Sequence, residues 1–150
     1  AARHGAAMIV IDAGTATTLT AWRWAASDST ADPRRAVRFA GGLILPGADA
    51  CCEGLARLCP ALPRVEPLGP QAQAAQQSTA SAIAAAVGIG YGPMVAACLH
   101  RLRLETGIQG LIGTGGAMPT LADGAVIPHL AVRPLLVLEG LLMLRELQTT

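Results

Sequence analysis

Small residues carry most of the chemistry open to this chain, and they gather in three glycine-bearing stretches. In "IDAGTATTLT", residues 11–20, a short apolar run ends in Asp12 and is followed by Gly14, Thr15, Thr17 and Thr18. Backbone N–H groups aimed inward by a tight turn, helped by hydroxyls, hold phosphate oxygens because those donors need no side-chain ordering. Gly14 would let the backbone come close while the three threonines donate; a plain hairpin turn would use the same residues. "AGGLILPG" offers the same option at Gly41 and Gly42, with a β-bulge as its alternative. "GTGG", with Thr114, Gly115 and Gly116, follows a strand-like run and opens a helix. Free amides there favour an anion or a ribose hydroxyl, although any strand-to-helix turn could read the same way. A carboxylate beside bound phosphates is repelled unless a cation lies between them. Asp12 is therefore a candidate to hold Mg²⁺ or a monovalent ion, or else an Asx-type turn cap. Neither a G-x-G-x-x-G fingerprint nor a Walker loop is present.

The elements that must position these loops follow from periodicity. "AMIVID" and "TTLTAWRWA" read as paired strands around a turn at Gly14 and Thr15, and "AVRFAGGLILPG" as a third, giving an antiparallel meander. Ala48 to Leu58 predicts a helix, stopped by the prolines of "PALPRVEPLGP". "QAQAAQQ" reads as the solvated start of the next element, and residues 78–104 as one long helix or two joined near Gly92 and Pro93. There Ala82, Ala86 and Gly90 form a small-residue stripe that would let another helix approach. "GLIGTGG" is a strand entering a turn, "AMPTLADG" a short helix, and "VRPLLVLEGLLMLRELQ" a closing helix, apolar nearly all round, that must be covered. The order strand meander, helix, helix, strand, helix, helix is an α/β layer arrangement.

Composition narrows the function classes. The 150 residues suffice for one domain with its own core, built from aliphatic side chains because hydrophobic residues make up 52% and aromatics 3%. A formal net charge of +1 argues against a broad nucleic-acid surface. The uncharged run at residues 80–99 imitates a membrane span, but its Ala, Gly and Pro93 predict a helix buried in protein. Cys51, Cys52, Cys59 and Cys98 lack zinc spacing and are expected to be buried reduced thiols. The missing signal-peptide pattern predicts a cytoplasmic protein, and a start without Met predicts a fragment.

The ordered set "IDAGTATTLT", "GGLILPG", "LPRVE", "STASAI" and "GTGG", followed by "VRPLLVLEGL", resembles the C-terminal half of type III pantothenate kinases, from about Ala6 to Glu146. The resemblance implies a ribonuclease-H-like lobe of the actin-like, acetate and sugar kinase superfamily, a mixed sheet with flanking helices. Residues 1–150 would then be a single C-terminal lobe without its N-terminal partner lobe. It implies phosphorylation of pantothenate by ATP at the start of coenzyme A synthesis, in a homodimer that needs potassium or ammonium. Asp12 would ligate that cation, Thr15 would contact phosphate, Thr79 would reach pantothenate, and Thr114 to Gly116 would lie against adenosine. The family's Asp-x-Gly-Asn-Thr phosphate loop and its Gly-x-Asp-Arg motif, which bears the catalytic base, are not among these residues, so the base is expected upstream. Thr20 stands where the family usually has aspartate, and Ser78 where asparagine is common. A non-catalytic nucleotide-binding, regulatory or dimerisation module is the competing class.

Overall fold

A computed structural model describes residues 7–24, 37–123, 127–128 and 130–148; the polar loop expected at 26–35 lies outside the described residues. The strands β1 (Met8–Ala13), β2 (Ala16–Trp24) and β3 (Val37–Pro46) form the expected meander, and α1 spans Ala48–Leu58. Helix α2 runs from Thr79 to Thr106, followed by β4 (Gly110–Thr114), α3 (Met118–Asp123), β5 (Ala131–Val132) and α4 (Leu136–Gln148). The strand β5 adds one element to the predicted order; at two residues it is too short to leave a periodic signal.

The five strands make one mixed sheet in the order β3-β2-β1-β4-β5. β1 is antiparallel to β2 and parallel to β4, and β4 is parallel to β5. Strand alternation sorts the side chains: Ile9, Ile11 and Ala13 of β1 and Thr17, Leu19 and Ala21 of β2 are fully buried. They share the core with Tyr91, Val95, Leu99 and Leu102 of α2 and with Met118 and Leu121 of α3. Ile11 has no solvent exposure, so Ile11→Ala leaves a cavity at the sheet centre. A loss of about 3 kcal/mol is expected, read as a lower urea midpoint at unchanged slope.

Helix α2 is one continuous helix, with Pro93 on its exposed side. By length and composition it could cross a membrane, yet its apolar stripe from Tyr91 to Leu102 is used in the core. Ser78 caps it, its hydroxyl accepting from the Ser81 N–H at 3.1 Å, and Gly107 ends it at φ 69°. That cap corrects the reading of "QAQAAQQ": residues 71–77 lie ahead of the helix. The small-residue stripe is corrected too. Ala82, Ala86 and Gly90 are exposed, and the close approach occurs on the Ala84, Ala85 and Gly88 side, where chain rather than a helix crosses.

All four cysteines are free as expected, but of the four only Cys52 is buried: Cys51 and Cys98 are half-buried, and Cys59, the residue that ends α1, is exposed. Leu135 just ahead of α4, and Val137, Leu138, Leu141, Leu142 and Leu144 on it, are exposed by half or more. Between this helix and the sheet lies an apolar cavity of about 600 Å³ lined by Met8, Val10, Trp22 and Ile112. Glu139 of α4 pairs with Arg133.

Candidate nucleotide cleft

The β1–β2 turn consists of Gly14 and Thr15. Gly14 donates its N–H to the Ala16 carbonyl at 3.1 Å, and the Thr15 carbonyl accepts from the Gly47 N–H at 2.9 Å. Thr15 is exposed, and its own N–H has no backbone acceptor among the described residues. Gly47 is where the chain leaves β3 for α1. A Cβ there would stand 2.2 Å from the Gly14 oxygen and 2.9 Å from that of Thr15, so only glycine lets α1 start against the turn.

Helix α1 begins without a side-chain cap, leaving its first amides at Ala48 and Asp49 open beside the turn. The third wall comes from the far end of β4. Gly115 at φ 100° bends the chain, and Ala117 donates to the Ala13 carbonyl at 2.9 Å. This places Gly116 and the start of α3 beside the same turn.

These parts enclose one cleft of about 630 Å³. Its lining includes Gly14, Thr15, Asp49, Leu68, Gly69, Gly88, Tyr91, Gly116 and Thr120. The segment around Leu68 forms a strap over α2. Leu68 donates its N–H to the Ala84 carbonyl at 2.9 Å, and a Cβ on Gly88 would fall 2.0 Å from the Leu68 oxygen. On the cleft floor the Tyr91 and Thr17 hydroxyls meet at 2.6 Å. Burial pushes the Tyr91 phenol above the ordinary tyrosine range, against the Thr17 bond that lowers it.

Of the residues expected to bind ligand, Gly14, Thr15 and Gly116 therefore come together in the cleft. Asp12, Thr18 and Thr114 form a separate row. They are register partners on three adjacent strands, on the sheet face away from Tyr91. The Asp12 carboxylate lies beside Gly115, its Oδ1 2.6 Å from where a Cβ would be. Thr17 is not available to a ligand, because alternation turns it into the core with Leu19 and Ala21. Gly41, at φ 123°, and Gly42 sit in an irregular stretch of the β2–β3 ladder outside the cleft lining. A Cβ on Gly42 would meet the Leu19 carbonyl at 2.5 Å, so the pair serves strand approach. Thr79 is exposed at the start of α2, about 13 Å of helix from Gly88.

Asp49, Tyr91, Gly47 and the strap are the parts that motif reading missed. Gly47 carried a signal, since a glycine directly after proline and ahead of a periodic run marks a helix start. Asp49 and Tyr91 carried none, because their place depends on how α1 and α2 stack against the sheet.

Comparison with known proteins agrees with this architecture. A family profile described as type III pantothenate kinase matches residues 1–101. A type III pantothenate kinase from Gluconobacter oxydans is 31% identical over 146 residues, 97% of this chain and 49% of that protein. One from Desulfatibacillum aliphaticivorans is 34% identical over 140 residues, covering 93% and 50%. The chain thus spans about half the length of the curated relatives it matches. A crystal structure of a conserved Baf family protein from Campylobacter jejuni, described as a transcriptional activator, superposes with a TM-score of 0.56 at 24% identity. The match covers 96% of this chain and 60% of that one.

Proposed function

Because the chain belongs to the type III pantothenate kinase family, we propose that it is the C-terminal, nucleotide-holding lobe of an enzyme that transfers phosphate from ATP to pantothenate. The observation that carries this reading is convergence. The exposed turn at Gly14 and Thr15, the uncapped start of α1 and Gly116 after β4 face one cleft, although they are far apart in sequence. The Thr15 amide and the first amides of α1, open toward one space that Gly116 also lines, suit a polyphosphate, which is bound best by donors fixed in advance. The sheet order, with β2 alone antiparallel between β1 and β3, supports a ribonuclease-H-like lobe of the actin-like superfamily.

The row Thr18, Asp12, Thr114 offers one carboxylate between two hydroxyl-bearing residues, a donor set suited to a hard cation such as potassium, ammonium or magnesium. That ion would offset phosphate charge. Phosphoryl transfer relies on positioning and charge stabilisation, and this chain's own residues supply the positioning: Thr15 and Gly116 orient phosphates, and the strap at Leu68 shields them from water. Thr79, on the exposed start of α2, is the residue proposed to meet pantothenate. A general base adds roughly 10²- to 10⁴-fold, and the family's Gly-x-Asp-Arg motif is not among these 150 residues. Binding without appreciable turnover is therefore expected of these residues alone. The exposed leucines of α4 support assembly with a further copy or lobe, in keeping with a homodimer.

Calorimetric titration with ATP in potassium buffer tests the reading. Saturable binding is expected, weakened about tenfold or more by Thr15→Ala. Asp12→Asn should remove the difference between potassium and sodium buffers. No heat from the unaltered chain, or equal affinity in Thr15→Ala, would contradict the proposal.

A further inference from the structure

Tyr91 belongs to none of the glycine loops, yet it is 2% exposed, lines the cleft and has a hydrogen-bonding partner. That partner, Thr17, is fully buried and follows the Gly14–Thr15 turn by two residues. Within the core, two hydroxyls that satisfy each other at 2.6 Å are costly to separate, because either one left alone would be an unpaired buried polar group. Two threonines on neighbouring positions of β2 thus divide the work: Thr18 faces the Asp12 row and Thr17 anchors the strand from beneath. One turn of α2 earlier, Gly88 carries the strap through its close approach to Leu68. A single rigid stretch of α2, Gly88 to Tyr91, therefore touches both the strap and the root of the turn.

We propose that Tyr91 is a positioning residue: by holding Thr17 it fixes the β1–β2 turn at the spacing from the strap and Gly116 that a polyphosphate requires. This rests on the nucleotide reading of the cleft. A buried aromatic needed only for packing would serve equally well as phenylalanine, whereas a positioning role requires the phenolic oxygen.

The test compares Tyr91→Phe, Thr17→Val and the double variant with the unaltered chain, after thermal melts establish that each is folded. Two quantities are read: ATP affinity by calorimetry, and hydrogen exchange at the Gly14 and Gly47 amides, whose bonds to Ala16 and Thr15 define the turn. Each single variant is expected to weaken ATP binding by about tenfold and to speed exchange at those two amides, and the double variant should match the singles. Unchanged affinity and exchange in Tyr91→Phe would overturn the proposal, as would additive losses in the double variant. If the unaltered chain binds no ATP, the nucleotide reading fails, while the exchange rates still decide whether Tyr91 holds the turn. Should Thr17→Val alone fail to fold, the Tyr91→Phe readings decide by themselves.

Discussion

Replacing Gly115 with alanine is expected to cost the fold about 4 kcal/mol, and to remove potassium-dependent ATP binding at temperatures where the variant is still folded. Two effects add. Gly115 sits at φ 100°, a backbone region that an L side chain strains to occupy. Its Cβ would also lie 2.3 Å from the Ala13 carbonyl oxygen and 2.6 Å from Asp12 Oδ1. The Ala13 oxygen cannot retreat freely, because it accepts the Ala117 N–H that sets α3 against the sheet. Relief must come from moving the β4–α3 corner, which carries Gly116 out of the cleft and pushes on the candidate cation ligand. A melting temperature lowered by about 10 °C is the measurable result. A shift within 2 °C of the parent, with ATP binding intact, would mean that the corner relaxes without cost.

The second large effect is expected at Gly88. A Cβ there would stand 2.0 Å from the Leu68 carbonyl oxygen and 2.7 Å from its carbon, both backbone atoms with no rotamer to yield. Gly88→Ala should therefore lift the strap off α2, breaking the bond from Leu68 to the Ala84 carbonyl, at about 3 kcal/mol. Because the core beneath is untouched, the damage should concentrate in the strap. Limited proteolysis is expected to cut near residues 67–70 in the variant at protease levels that leave the parent whole. Cleavage spread evenly along the chain would show instead that the strap and core unfold together.

The same two glycines mark how far the sequence could be read. Gly115 stands in "GTGG", recognised as a turn between strand and helix, and the structure adds only its direction. Gly88 lies inside an Ala/Gly-rich helical run two residues from Gly90, and nothing local tells which of the two faces a neighbour. The meander and α1 were legible because alternation and 3.6-residue periodicity report burial directly, whereas α2, apolar on most sides, left one helix or two joined near Pro93 equally open until the structure showed a single one. Thr17 was open to the same argument: it alternates with Leu19 and Ala21, which placed it on the buried face, while its neighbour Thr18 falls on the other. Grouping all three threonines as phosphate donors set a motif above that periodicity.

The helix propensity of "QAQAAQQ" was outweighed by prolines upstream and by the Ser78 cap, which starts α2 later than composition suggests. For Gly41 and Gly42, a phosphate loop and a β-bulge are equally compatible with the local sequence, and the geometry fits the irregular strand: the ladder shifts register between Ala21 and Trp22. Asp49 and Tyr91 lay beyond sequence reasoning. Their roles come from tertiary placement, since the Tyr91 bond joins residues separated by 74 positions.

The most direct measurement is a map of backbone amide chemical shifts as an ATP analogue that resists hydrolysis is titrated into the labelled chain with potassium. Saturating shifts at Thr15, Ala48, Asp49 and Gly116 are predicted, with Gly41, Gly42 and the α4 helix unmoved. Shifts confined to α4 or the β3 edge, or none at the β1–β2 turn, would contradict a polyphosphate seated in this cleft.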